Sequence, residues 1–191
     1  TVSGEMNIPR GYQGNVTLQD GSVFTIGGSW SEGAGNNGGK DAEIWSPLTG
    51  WMLLPNIQGN DIYNANDLAS DGQGLYRVDN HVWLWPAPNG KLFHAGPGER
   101  MHWIDVTVPG GEILDAGLRA DAGEIDAYSM KGNTVMFDTG KILKTGGAPE
   151  YGDDDQNGLP ARQNSFVIDL NDVDYGETPN VTYTGLMSAR R

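Results

Sequence analysis

Tyr12 and Trp30 flank a short hairpin pattern, Val16-Thr17-Leu18-Gln19-Asp20-Gly21-Ser22-Val23-Phe24-Thr25-Ile26. If Asp20-Gly21 is a two-residue loop, residues pair across it with numbers summing to 41, which sets Tyr12 opposite about Ser29 and beside Trp30. A phenol beside an indole at a sheet end is either a packing pair or a site; spacing leaves both open, packing being the commoner case. The three histidines form no ready metal triad: His94 and His102 stand eight residues apart around a glycine-proline turn, and His81 lies well before them. Asp153-Asp154-Asp155 concentrates charge that could attract calcium but lacks the spaced ligands of an EF-hand, so it reads as a solvated loop. The chain has no cysteine, which excludes disulfides, thiolate zinc sites and thiol catalysis within it. No glycine-rich loop sits between a strand and a helix with a following lysine, so nucleotide binding is not supported.

Short strands must position these groups. Apolar residues recur at no helical spacing over a long window; β-branched and aromatic runs are bounded instead by Gly, Asn and Asp, the pattern of an all-β chain. The hairpin around Gly21 is echoed by Val82-Trp83-Leu84-Trp85 through Gly90 to Gly96, and by Val135-Met136-Phe137 through Gly140 to Gly146-Gly147. After each glycine stop come a polar loop and an aromatic-bearing strand: Ala42-Glu43-Ile44-Trp45, Met101-His102-Trp103-Ile104 and Ser165-Phe166-Val167-Ile168. The turn glycines are 69 and 50 residues apart, and the four-stranded units resemble kelch repeats, which implies a β-propeller. A β-sandwich would match the hairpins but not the aligned glycine stops. The expected fold is therefore about three four-stranded blades, near residues 10–60, 75–120 and 130–185, of a seven-bladed kelch-type propeller. Closure generally takes four to eight blades, and Ala189-Arg190-Arg191 looks like a second copy of the run Pro9-Arg10-Gly11-Tyr12 before the first hairpin. The chain is expected to be a segment of a larger protein, with the remaining segments of the propeller as its partners.

Composition agrees with a folded, soluble unit. The 191 residues include 29 Gly and 10 Pro, below the roughly 25–30% typical of disorder, and 6 Trp, 7 Tyr and 4 Phe to build a core. A net charge of -13 repels phosphate backbones and anionic lipid surfaces, so neither nucleic acid nor membrane is an expected partner. No apolar run reaches the roughly 18–20 residues of a bilayer span. Thr1-Val2-Ser3-Gly4 has no leader character, so any signal peptide is expected to be gone already. Asn15-Val16-Thr17 and Asn180-Val181-Thr182 are glycosylation sequons, which makes Asn15 and Asn180 acceptors if the protein is secreted.

Arg10-Gly11-Tyr12-Gln13 followed by Asp20-Gly21-Ser22-Val23-Phe24-Thr25-Ile26-Gly27-Gly28-Ser29-Trp30 resembles the segment of fungal galactose oxidases and related copper radical oxidases that carries their redox tyrosine and its stacking tryptophan. Gln73-Gly74-Leu75-Tyr76-Arg77 with Asp79-Asn80-His81 resembles the same family's substrate-pocket loop, and the likeness runs in register from about Arg10 to Arg190. By this resemblance Tyr12 is the tyrosine that ligates copper, is joined to a cysteine by a thioether and is oxidised to a radical, with Trp30 stacked over it. Gln73, Tyr76, Arg77, His81 and Tyr151 match pocket residues, Arg77 offering a rigid multi-donor fork for sugar hydroxyls. The family places glutamine beside the residue matching Tyr151; here Gly152 stands there, which removes a hydrogen-bond partner for galactose.

The resemblance implies secretion to the extracellular space and oxidation of a primary alcohol, a galactose-type sugar or another, to an aldehyde while O2 becomes hydrogen peroxide. Copper cycles by one electron, so a ligand radical holds the second oxidising equivalent; a delocalised phenol suits that role and an overlying indole shields it. In the family the cysteine lies upstream, and a second tyrosine and two histidines downstream, so this segment alone is expected to be inactive and unable to hold copper. The other reading is a non-catalytic kelch module that binds glycans or a protein.

Overall fold

A computed structural model describes residues 4–28, 40–62, 81–120, 129, 132–147 and 162–188. The first sheet is β1 (Gly14–Thr17), β2 (Val23–Ile26), β3 (Glu43–Ser46) and β4 (Gly50–Leu53), followed by a short 3-10 turn at Gly59–Ile62. The second is β5 (Trp83–Pro86), β6 (Leu92–Gly96), β7 (Arg100–Asp105) and β8 (Glu112–Leu118). The third is β9 (Asn133–Asp138), β10 (Lys141–Thr145), β11 (Asn164–Asp169) and β12 (Asn180–Leu186). Each sheet is an antiparallel meander whose strands hydrogen-bond in chain order, so the fold is all-β and the three sheets are blades. Among the described residues no helix is long and apolar enough to cross a membrane.

The first hairpin is one residue wider than its Asp-Gly sequence suggests. Thr17 pairs with Val23 and Val16 with Phe24, so paired numbers sum to 40 rather than 41. The Leu18 amide donates to the Ser22 carbonyl at 2.8 Å and the Gly21 amide to the Leu18 carbonyl at 3.0 Å, enclosing the three-residue loop Gln19-Asp20-Gly21. Gly21 sits at φ 81°, where a turn of this type needs a left-handed residue, and the Asp20 carboxylate accepts from the Ser22 amide at 2.9 Å. The Ser22 hydroxyl donates to the same oxygen at 2.5 Å, and the hydroxyl and amide bonds together lower the Asp20 pKa. The Gly90 loop repeats the arrangement, with Ala87 N–H to Lys91 O at 2.8 Å; only the Thr139-Gly140 loop has two residues, between Asp138 and Lys141.

Two apolar layers hold the sheets together. Val16, Phe24 and Ile26 of the first sheet meet Leu84, Leu92 and Ile104 of the second, with Ile57 and Ile62 between. Trp83, Phe93, Met101 and Trp103 of the second meet Ile142, Ile168 and Leu170 of the third. The second sheet is thus covered on both faces: all of β6 and every residue of β7 but Arg100 is buried. The outer face of the third sheet instead carries the row Val135, Leu143 and Val167, with Val135 49% and Phe137 56% exposed. The outer face of the first carries Val23, Trp45 and Trp51 in register.

Candidate functional site

Tyr12 lies just before β1, at the end of the first sheet away from the Gly21 turn. Its backbone is left-handed, φ 61°, which costs a side-chain-bearing residue of order 1 kcal/mol, so neighbours must hold it there. Continuing the observed register brings Gly28, not Ser29, to Tyr12, because the hairpin loop has three residues. A side chain at Gly28 would come within 2.6 Å of the Gly11 carbonyl and 3.1 Å of Gln13.

On one side of Tyr12, residues 7–10 form a strap over the first sheet. The Arg10 guanidinium donates from Nη1 to the carbonyls of Gly27 at 3.0 Å and Lys40 at 3.2 Å, and from Nη2 to the Asp41 carbonyl at 2.7 Å and Glu43 Oε1 at 2.9 Å. Glu43 also accepts from the Asn7 amide at 2.8 Å, the Asn7 side chain at 2.9 Å and the Ile8 amide at 3.0 Å, while Lys40 Nζ donates to the Pro9 carbonyl at 3.0 Å. The side chains of Arg10 and Glu43 are fully buried. Burial alone would push the Glu43 carboxyl up, but the bonds from Asn7, Ile8 and Arg10 outweigh it and hold the pKa below its ordinary value.

On the other side, the His81 amide donates to the Tyr12 carbonyl at 2.7 Å, and His81 is itself left-handed at φ 54°. The two rings meet edge to face, centroids 5.2 Å apart at 69°. Partial burial lowers the His81 pKa from 6.5. The contact joins two blades, since His81 leads into β5, and Gly14 permits it: a Cβ there would lie 2.5 Å from the Val82 carbonyl oxygen. Tyr12 as a whole is 52% exposed.

The structure therefore brings Tyr12 and His81 together. Trp30, Gln73, Tyr76, Arg77 and Tyr151 lie outside the described residues, as does Asp153-Asp154-Asp155. Asn15 is exposed on β1 opposite Thr25, and Asn180 is exposed at the start of β12 opposite Asp169. Among the described residues no three His, Cys, Asp or Glu side chains converge as a metal site. The donor set at Tyr12 fits copper as one contributor, the phenol of a half-exposed tyrosine beside an imidazole, and not as a complete cage.

Sequence patterns missed two polar groups. Glu43, an acid inside the apolar run Ala42-Glu43-Ile44-Trp45, was the signal for the Arg10 pair. His94 and His102, apart in sequence, face each other across β6 and β7 with Nδ1 atoms 3.0 Å apart. Burial, then mutual repulsion and Arg119, hold His94 well below 6.5; burial, against Asp115 and with Arg100, lowers His102 to about 4. Both are neutral at pH 7, one Nδ1–H donating to the other ring's lone pair.

No family model matches the chain. Two galactose oxidase sequences of Gibberella zeae are each 41% identical to it over 97% of its length, and the chain spans 26% of theirs. A solved structure described as a novel fungal alcohol oxidase with catalytic diversity among the AA5 family, in complex with copper, superposes with a TM-score of 0.77 at 30% identity. That match covers 97% of this chain and 34% of the solved one. With a fold that superposes at this level and identity along nearly its whole length, the chain belongs to the galactose oxidase family of fungal copper radical oxidases.

Proposed function

We propose that this chain is a segment of a secreted copper radical oxidase that converts a primary alcohol, a galactose-type sugar or another, to the aldehyde while reducing O2 to hydrogen peroxide. The observation that carries the reading is the backbone of Tyr12: a left-handed, half-exposed tyrosine held from both sides at a sheet end. Strain of this kind, where the surroundings impose it, gathers at functional sites. Tyr12 supplies one oxygen donor and stores one oxidising equivalent as a phenoxyl radical; copper, when bound, supplies the other. The thioether forms between a Tyr12 ring carbon and a cysteine sulfur from outside the chain, the two displaced hydrogens leaving with two electrons to O2 as hydrogen peroxide. Per turnover the alcohol loses two electrons and two protons and O2 gains them. Trp30 shields the radical, and Gln73, Tyr76, Arg77, His81 and Tyr151 form the substrate wall, with Gly152 widening the choice beyond galactose.

The rest of the propeller completes the site, and its blades cover the outer row Val135, Leu143 and Val167 and the face bearing Trp45 and Trp51. Secretion goes with the Asn180 sequon, since a covered outer face of the first sheet leaves no room for a glycan at Asn15. Asn15 alternates with buried Val16 and so points to the outer face of the first sheet; a glycan there and a further blade on that face exclude each other, whereas Asn180 lies on the last strand of its blade.

The test is on the full-length protein, copper-loaded in air. A Tyr12 peptide joined to a cysteine peptide and lighter by two hydrogens, with peroxide formed from a primary alcohol, is the expected result; an unmodified Tyr12 overturns it. Tyr12→Phe is expected to abolish peroxide formation in a folded protein, and equal turnover would remove Tyr12 from the radical site.

A further inference from the structure

We propose that the buried Arg10–Glu43 pair is the positioning device of the redox phenol, fixing the backbone that presents Tyr12; this rests on Tyr12 being the radical residue. Tyr12 follows Arg10 by two residues and holds a conformation that its own side chain disfavours. The restoring force must come from outside, and Arg10 supplies it at four acceptors. Those acceptors lie at both ends of one connection: Gly27 closes β2, and Lys40, Asp41 and Glu43 open β3. The Gly27 amide donates to the Lys40 carbonyl at 2.9 Å at the same place. One guanidinium therefore ties the strap that carries Tyr12 to the two ends of the segment between β2 and β3. None of these contacts involves the side chains of the two apolar layers.

A buried pair that served only stability would be replaceable by apolar residues of similar volume at little cost. A positioning pair would not, because the planar fork alone reaches three carbonyls and a carboxylate together. Arg10→Lys keeps the charge but loses the fork. The double variant Arg10→Met with Glu43→Leu removes both charges, so that it folds where a single loss of charge would strand the other.

The experiment uses full-length, copper-loaded protein and reads two quantities other than turnover: the fraction of Tyr12 recovered as the cysteine thioether after a fixed exposure, and the potential of the Tyr12 radical by spectroelectrochemical titration. Both variants are expected to keep a cooperative melting transition, to lower the thioether fraction about tenfold, as small misplacements of reacting atoms do, and to shift the radical potential. Arg100→Gln, which breaks the exposed pair with Asp115, is expected to change neither readout. A folded Arg10→Lys or double variant with the wild-type thioether fraction and potential overturns the proposal. Wild-type protein with no thioether on Tyr12 overturns instead the assignment of the radical residue.

Discussion

The second and third blades have the same strand order, yet one is buried on both faces and the other on one. β6 is buried throughout, whereas β9 reads exposed, half-buried, exposed along its length. The large aromatics follow: Trp83, Phe93 and Trp103 lie in the second blade, and the outer row of the third is Val135, Leu143 and Val167. The same repeat position also carries different chemistry. The pair that is His94 and His102 in the second blade is Lys144 and Phe166 in the third, with Lys144 Nζ 5.8 Å from the ring centroid, and Thr25 and Glu43 in the first. All six of these side chains belong to buried residues. What is common to the blades is the backbone; what each holds at the interface depends on its neighbours.

The contrast is most easily broken at the aromatic layer. Trp103→Ala is expected to cost about 3–5 kcal/mol in denaturant unfolding of the intact protein, the range for emptying a fully buried aromatic site. Phe137→Ala, on the outer face of the third blade, should cost more than about 1 kcal/mol in the full-length protein, where a further blade covers that face. A loss under about 1 kcal/mol would mean that the face stays in water.

The histidine pair sharpens the comparison through pH. Both imidazoles have depressed pKa values, so between 6.5 and about 4 the unfolded chain binds protons that the folded chain does not, and stability falls as pH falls through that window. From pH 7 to 5 the loss is about 2 kcal/mol for each histidine. His94→Leu with His102→Leu should flatten the profile over that interval, and an unchanged slope would show that the pair is not neutral in the folded protein. Lowering the pH further removes the contribution of Glu43, which is present above its unfolded value of 4.5 and lost as pH falls through its lower folded value.

Two glycines give the smallest pair of effects. Gly14→Ala drives a methyl group to within 2.5 Å of the Val82 carbonyl and is expected to cost about 1–3 kcal/mol as the first two blades shift apart. Gly21→Ala meets no atom within 4 Å and should cost only its left-handed backbone, about 1 kcal/mol. Equal losses at both would remove the argument that Gly14 sets the spacing of the blades.

Much of the fold was legible because the repeat is written in turn glycines and β-branched runs: Gly21, Gly90 and Gly140 mark the hairpins, and each later aromatic strand was visible. The register was not. Asp20-Gly21 reads as a two-residue loop, and the extra residue comes from an aspartate that caps Ser22, an interaction that the dipeptide alone does not encode. Tyr12 and His81 were singled out separately, but their contact across two blades depends on a backbone bond and on the missing side chain of Gly14. Arg10 was part of a recognisable motif, while its partner Glu43, 33 residues later, looked like one acid in an apolar strand.

Each backbone ladder among the described residues joins strands adjacent in sequence, and this has a kinetic consequence. During synthesis the first sheet can zip up while the residues of the second are still inside the ribosome, because no hydrogen bond of its ladder waits for distant chain. Its inner face has no such independence. At about 5–20 residues per second, the 37 residues from Leu53, which ends the first sheet, to Gly90 take roughly 2–7 s to emerge. For that interval Phe24, Ile26 and Val16 stand in water on a finished ladder, a nascent surface on which a chaperone or a neighbouring nascent chain competes with the second blade.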